Sequence, residues 1–196
     1  MKKNKKSRIQ YLLILDQSGS MHSIKDEVIN SYNEQLEYLT KLNKENKVLA
    51  SLSTFNDEIK VHALRESPSA LFKLTEENYE PDSCTALYDA MGISIMEILK
   101  GLKKQDKLFI TIFTDGMENA SKYFNEFQVN MLTNKLKKDG HTISFICKEK
   151  DEMFYKEKFN IEDDCMFSIS ESPLAGEVSE SFGKVQHKMS QIIDNN

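Results

Sequence analysis

The residues best suited to chemistry in this sequence are hard oxygen donors that follow a predicted strand. Asp16, Ser18 and Ser20 stand at alternate positions in Asp-Gln-Ser-Gly-Ser, directly after the apolar run 9–15. One carboxylate and two hydroxyls form a ligand set that Mg²⁺ prefers. Gly19 would let the backbone bend so that the three side chains converge. Taken alone, the pattern is equally typical of an ordinary turn between a strand and a helix.

Two further polar residues favour a metal site over a simple turn. Asp115 lies in Thr-Asp-Gly directly after the apolar run 108–113, and Thr85 directly precedes a predicted helix. Asp115 by itself fits a turn carboxylate, and Thr85 fits an ordinary helix cap. Because all three segments fall at the same predicted edge of one sheet, their coincidence favours a divalent cation site. Its predicted ligands are Asp16, Ser18, Ser20, Thr85 and Asp115.

The elements that must position these ligands alternate along the chain between short buried strands and amphipathic helices. Strands are predicted at 9–15, 48–55, 59–64, 108–113, 142–147 and 165–169, and helices at 24–39, 87–102, 124–136, 152–159 and 172–192. This order indicates a doubly wound, Rossmann-like α/β fold with a mostly parallel sheet of about six strands and helices on both faces. The hairpin 48–64 adds one antiparallel edge strand. Ligands of such sheets bind beyond the carboxyl ends of the strands.

Length and composition predict one domain of ordinary globular type. The chain has 196 residues, of which 39% are hydrophobic and 29% charged. We expect a basic tail at 1–8 followed by a single domain at 9–196. The net charge of −5 argues against a nucleic-acid groove, and no apolar stretch approaches the roughly 18 residues of a membrane span. Three cysteines without CxxC spacing favour a reducing compartment, so a cytoplasmic location is expected.

On these residues the chain resembles a von Willebrand factor type A (VWA) domain, whose hallmark is a metal-ion-dependent adhesion site. The Asp-x-Ser-x-Ser motif of that family is matched by Asp16, Ser18 and Ser20. Its loop threonine is matched by Thr85 and its later aspartate by Asp115. The resemblance covers essentially the whole chain. It implies one bound Mg²⁺, with Mn²⁺ or Ca²⁺ as alternatives, and a partner protein that supplies a Glu or Asp carboxylate.

The segments 85–90 and 114–121 look most like bacterial intracellular members, including those near tellurium-resistance and stress-response systems. Such domains often work beside ATPases, kinases or other proteins encoded nearby, and a partner of that kind is expected here. One departure is visible, because the family often has two glycines where this chain has Ser83 and Cys84. The thiol then lies beside a metal ligand, and Cys84 is interpreted as a small, partly buried residue.

Several neighbours of the predicted ligands should shape the site. Gly116 follows Asp115 in the third loop. Glu118 is either a carboxylate that supports the ligands from behind or an exposed acid at a helix start. Met21, Met117 and Tyr88 either form an apolar rim around the incoming carboxylate or pack in the core.

The sequence contains no recognisable catalytic constellation. The first motif lacks the second carboxylate of an aspartyl-phosphate-type phosphatase, its serines lie in no Gly-x-Ser-x-Gly elbow, and the chain has no P-loop. The favoured function is therefore a metal-dependent protein-binding module. Two alternatives stay open, a metal-dependent hydrolase of phosphoesterase type and a structural scaffold whose metal only staples three loops.

Overall fold

Six strands form one sheet in residues 8–195, the part of the chain that the computed structural model describes. The strands are β1 (Arg8–Asp16), β2 (Lys47–Phe55), β3 (Ile59–Glu66), β4 (Asp106–Phe113), β5 (Thr142–Lys148) and β6 (Met166–Ile169). The α-helices are α1 (Lys25–Leu42), α2 (Leu87–Leu99), α3 (Glu126–Lys138), α4 (Glu149–Phe159) and α5 (Glu177–Asp194).

The strand order is β3-β2-β1-β4-β5-β6, and β3 alone runs antiparallel to its neighbour. The central strands β1 and β4 are apolar and almost entirely buried, as expected for parallel strands covered on both faces. The edge strand β3 is largely half-exposed, since polar and apolar residues alternate along it. The predicted fold class, including the antiparallel edge strand, is confirmed.

Two hydrophobic cores lie on opposite faces of the sheet. In β1, Ile9 and Leu13 contact the core that α1 and α5 cover, whereas Leu12 and Ile14 contact the core beneath α2, α3 and α4. This alternation follows from the two-residue period of a strand. Helices therefore cover both faces, as the sequence predicted.

The sheet reverses its winding direction between β1 and β4. From β1 the chain continues through α1 to β2 on one side, and from β4 it continues through α3 to β5 on the other. Leu15 pairs with Phe113, so the two strands end at the same level. Such a switch point leaves a crevice beyond the carboxyl ends of the strands, where Asp16 and Asp115 are located.

Helix α3 exposes two of its apolar residues. The helix begins after Asn125, whose side chain accepts a hydrogen bond from Gln128 N in a capping box. From this start the buried positions include Val129 and Leu136. Phe127 and Met131 consequently point to solvent, with 71% and 59% of their surfaces exposed.

The last helix starts later than predicted. Ser172 and Pro173 were expected to begin it, but α5 begins at Glu177 after Gly176, which has a φ of 91°. The Glu177 carboxylate accepts hydrogen bonds from Ser170 N over 2.7 Å and from Leu174 N over 3.0 Å. These bonds hold the segment before α5 as a loop, so the serine and proline are turn residues.

Arg8, which the sequence placed at the end of a basic tail, is the first residue of β1. Its Nε lies 3.2 Å from Asp106 Oδ1 at the start of the neighbouring β4. The remainder of the predicted tail, residues 1–7, lies outside the described residues.

Candidate metal centre

Asp16 is anchored at the end of β1 by hydrogen bonds to both carboxylate oxygens. Ser18 N donates to Oδ1 over 2.7 Å, and Thr114 Oγ1 donates to Oδ2 over 2.5 Å. Burial raises the pKa of Asp16 to about 6, although these two donors act in the opposite direction. A buried carboxylate without a compensating positive charge favours a cation nearby.

The hydroxyl groups of the first loop connect Asp16 to the loop after β4. Ser18 Oγ and Ser20 Oγ lie 3.2 Å apart, and Ser20 Oγ donates a hydrogen bond to Asp115 Oδ1. A Cβ atom at Gly116 would lie 3.4 Å from Ser20 Oγ and 3.5 Å from Thr85 Oγ1. The first motif, the threonine and the later aspartate therefore converge on one small volume.

Hydrogen bonds donated by main-chain N–H groups tie the Thr85 loop to the loops on either side. Thr85 N donates to Asn119 Oδ1 over 2.9 Å, and Asn119 N donates to Thr85 O over 3.0 Å. On the other side Gly19 N donates to Ser83 O over 3.1 Å. Ser83 adopts a φ of 67°, a left-handed conformation that glycine takes at lower cost, at a position where the resemblance leads one to expect glycine.

Asp115 has a fully enclosed side chain whose two oxygens have different partners. Oδ1 accepts the hydrogen bond from Ser20, whereas Oδ2 accepts no hydrogen bond and lies 3.2 Å from the ammonium nitrogen of Lys148. Lys148 was not singled out from the sequence. The signal was available, because Lys148 ends the parallel strand β5 at the same sheet edge as Asp16 and Asp115.

All five predicted ligands are thus brought together, and their chemistry fits a hard divalent cation. The set contains two buried carboxylates and three hydroxyls, the donor types that Mg²⁺ and Mn²⁺ accept. Asp115 Oδ2 accepts no hydrogen bond, and the Lys148 ammonium nitrogen lies 3.2 Å from it. Ser20 is the exposed member of the set and marks the side open to solvent. Their role as ligands stays a prediction.

Of the three residues expected either to form an apolar rim or to pack in the core, Met21 takes the second alternative. Met21 is fully buried in the core beneath α1, so it cannot line the rim. Met117 is 42% exposed, and Tyr88 is half-buried with its ring edge against Phe159. Cys84 is exposed, which corrects the expectation of a partly buried thiol.

Glu118 organises the third loop. Its Oε1 accepts hydrogen bonds from Ala120 N and Ser121 N, and its Oε2 accepts one from Tyr88 N over 2.9 Å in the first turn of α2. The expected alternative of an acid at a helix start is wrong, because α3 begins only at Glu126. Glu118 therefore supports the site by joining the Asp115 loop to the helix that follows Thr85.

Asp89 holds the end of the loop that begins with Asp115, and it was not singled out from the sequence. It is 2% exposed in the first turn of α2, and its oxygens accept hydrogen bonds from the backbone N–H groups of residues 122, 123 and 124. An acid in a first helical turn usually indicates only a favourable interaction with the helix dipole. No local pattern could have revealed that Asp89 binds a segment more than thirty residues away in the chain.

Tyr79 holds the main chain at the start of the first loop. Its buried hydroxyl donates to the carbonyl oxygen of Asp16 over 2.6 Å. We expect Tyr79→Phe to lower the free energy of unfolding by about 1–2 kcal/mol, because a buried carbonyl loses its donor. Urea denaturation checks this value, with Tyr123→Phe, which is 74% exposed, as the control. Equal stability of the two variants would contradict this assignment.

Comparison with solved structures identifies the fold as that of VWA domains. The chain superposes on the vWF domain of the type V pili tip protein Mfa5 from Porphyromonas gingivalis with a TM-score of 0.77 at 10% identity, over 96% of this chain and 97% of that one. Manganese-loaded Plasmodium vivax TRAP protein gives a TM-score of 0.68 at 16% identity, over 91% of this chain and 72% of that one.

A third similar structure is larger than this chain. The PilB minor pilin from Streptococcus sanguinis gives a TM-score of 0.69 at 12% identity, and the match covers 97% of this chain but 63% of the pilin. Neither a family sequence profile nor a curated protein sequence matches the chain. At these identities the likeness establishes the fold alone.

Proposed function

We propose that this chain is a protein-binding module that holds one divalent metal ion, Mg²⁺ by preference, and through it grips a carboxylate of its partner. The observation that carries the proposal is the convergence of Asp16, Ser18, Ser20, Thr85 and Asp115 at the sheet's switch point, with Asp115 Oδ2 free of hydrogen bonds. These residues would bind the ion, which when bound would act as an electrophile toward an anionic group.

The donor set itself favours a ligand that comes from a partner. Two carboxylates only balance the charge of a divalent ion, and the three hydroxyls add none. A hard cation with so few anionic ligands retains affinity for a further carboxylate. Two structures with this fold give the proposal limited support, since one is a pilus-tip domain and the other was obtained loaded with manganese.

We propose further that the partner is a cytoplasmic protein encoded nearby, such as an ATPase, a kinase or a stress-response protein. The proposal draws on the resemblance of segments 85–90 and 114–121 to bacterial intracellular members of the family. Two of the three cysteines, Cys147 and Cys165, are buried as free thiols, and Cys84 is free at the surface. Across residues 8–195 the helices are too short or too polar to cross a bilayer.

Affinity capture with a matched pair of serine variants tests the proposal. We expect wild-type protein to retain a partner from lysate in Mg²⁺ and to release it in excess chelator. Ser20→Ala should lose at least about tenfold in Mg²⁺ affinity and lose capture with it, because the ion loses a ligand. Ser69→Ala, which changes an exposed serine just after β3 at the opposite edge of the sheet, should behave like wild type.

Two other results of these experiments would indicate the alternative functions, a structural scaffold or a hydrolase. Capture that is equal with and without Mg²⁺ would indicate a metal that only staples the loops. Turnover of a generic phosphoester in Mg²⁺, lost in Asp115→Ala, would indicate a hydrolase. Capture that survives both Ser20→Ala and excess chelator would contradict the proposed mechanism.

A further inference from the structure

Lys148 places a positive charge inside the candidate metal centre. Its Nζ lies 3.2 Å from Asp115 Oδ2, and the exposed fractions of the two side chains are 13% and 0%. The ion pair is therefore largely shielded from water, unlike an ordinary surface salt bridge. It also involves the same carboxylate oxygen that accepts no hydrogen bond.

The neighbouring lysine is arranged differently. Lys150 stands two residues further on, has 57% of its side chain exposed and pairs with Glu171 Oε2 over 2.7 Å. Among the ion pairs within residues 8–195, Lys148 supplies the one that reaches Asp115. The two lysines thus have the same charge and nearly the same place in the chain, but one of them alone contacts a predicted ligand.

We propose that Lys148 is a tethered counter-cation that competes with the metal for Asp115 and thereby sets the metal affinity of the centre. This inference rests on the proposed function. A divalent ion bound at Asp115 Oδ2 would come within a few ångströms of the ammonium nitrogen, and the two cations repel each other strongly in a shielded site. The ion can bind only when the flexible lysine side chain withdraws.

With Lys148 included, the formal charge of the centre changes sign when the metal binds. Asp16, Asp115 and Lys148 together carry one formal negative charge, and a divalent ion changes this to one positive charge. An acidic partner group is therefore repelled by the metal-free centre and attracted by the loaded one. Lys148 shifts both states by one positive charge, so that the loaded centre is positive, whereas without it the loaded centre would be formally neutral.

Metal titration of lysine variants tests the proposal. We expect Lys148→Met to bind Mg²⁺ on the order of tenfold more tightly than wild type by isothermal titration calorimetry, because the competing charge is gone. Lys148→Arg, which keeps the charge, and Lys150→Met, which removes a charge beside the centre, should both stay within about threefold of wild type. In excess chelator, Lys148→Met should melt below wild type, because Asp115 has lost its counter-charge.

A measurement on wild-type protein makes the test independent of whether Lys148→Met folds. The side-chain ¹³Cε resonance of Lys148 should shift on addition of Mg²⁺, whereas that of Lys150 should not. Unchanged Mg²⁺ affinity in Lys148→Met, or an unchanged Lys148 resonance in protein that binds Mg²⁺, would overturn the inference and leave the proposed function intact. Absence of Mg²⁺ binding in both wild type and Lys148→Met would overturn the two together.

Discussion

Replacing Asp16 by Asn is expected to reduce Mg²⁺ affinity by at least about 100-fold, since even residues behind the ligands of a metal site contribute 10- to 100-fold. The substitution removes one of the two anionic ligands while keeping the shape of the side chain. Asn can still accept the hydrogen bond from Ser18 N. Thr114 Oγ1, which now donates to Asp16 Oδ2, also lies 3.0 Å from Gly116 O and can donate there instead. The fold should therefore persist.

The melting temperature tests the same substitution independently, because Asp16→Asn should lose Mg²⁺ affinity without losing stability in the metal-free state. Burial raises the pKa of Asp16 from 3.8 to about 6, so its ionised form destabilises the metal-free folded state at neutral pH. In excess chelator, Asp16→Asn should consequently melt at the same temperature as wild type or higher. Added Mg²⁺ should raise the melting temperature of wild type and leave that of the variant unchanged.

The matched control is Asp26→Asn, which removes an exposed acid in the first turn of α1. It should bind Mg²⁺ like wild type, because Asp26 lies outside the candidate centre. Calorimetry and thermal melting of the three proteins in Mg²⁺ and in chelator complete the test. Mg²⁺ binding by Asp16→Asn within a few-fold of wild type would remove Asp16 from the ligand set.

Asp89→Ala is expected to lower the free energy of unfolding by about 3 kcal/mol, because three backbone N–H groups lose a charged acceptor in a largely buried setting. The bonds concerned run from residues 122, 123 and 124 to Asp89 over 2.7, 2.8 and 2.6 Å. They hold the end of the loop that begins with Asp115. Mg²⁺ affinity should therefore fall as well, although Asp89 is not a predicted ligand.

Urea denaturation measures the stability change, and two further variants bracket it. Asp139→Ala removes an exposed acid paired with Lys135 over 2.7 Å and should leave the free energy of unfolding close to that of wild type. Asp89→Asn keeps one acceptor oxygen and should fall between wild type and Asp89→Ala. A loss below about 1 kcal/mol for Asp89→Ala would show that the loop is held by other contacts.

The contrast between Asp89, Asp16 and Asp115 explains why the first is structural and the other two are proposed ligands. Asp89 accepts three N–H donors from a single loop, which leaves it little capacity for a cation. Asp16 accepts two donors, and Asp115 accepts one while its second oxygen faces Lys148. Unsatisfied acceptor capacity therefore decreases in the order Asp115, Asp16, Asp89, and the two proposed ligands retain the most.

The strand and helix order could be inferred from sequence because local periodicity determines it. Apolar runs at β1 and β4 predicted buried parallel strands, and the ends of parallel strands meet at one edge of a sheet. Asp16 and Asp115 could be placed together for that reason alone. The same rule places Lys148 at this edge, at the end of β5. A lysine is not a ligand for a metal cation, so a search for oxygen ligands does not include it.

Only the tertiary structure decided which side chains contact one another within this order of strands and helices. Asp89 binds backbone N–H groups distant in sequence, and no periodicity encodes such a contact. Phe127 points to solvent because the start of α3 sets the orientation of its faces, and a shift of one residue turns an α-helix by about 100°. Met21 packs in the core from the short 3-10 helix that precedes α1. The sequence by itself determined which oxygen atoms are predicted to hold a metal, those of Asp115 included. The packing of β5 against β4 decided that a lysine shares one of them.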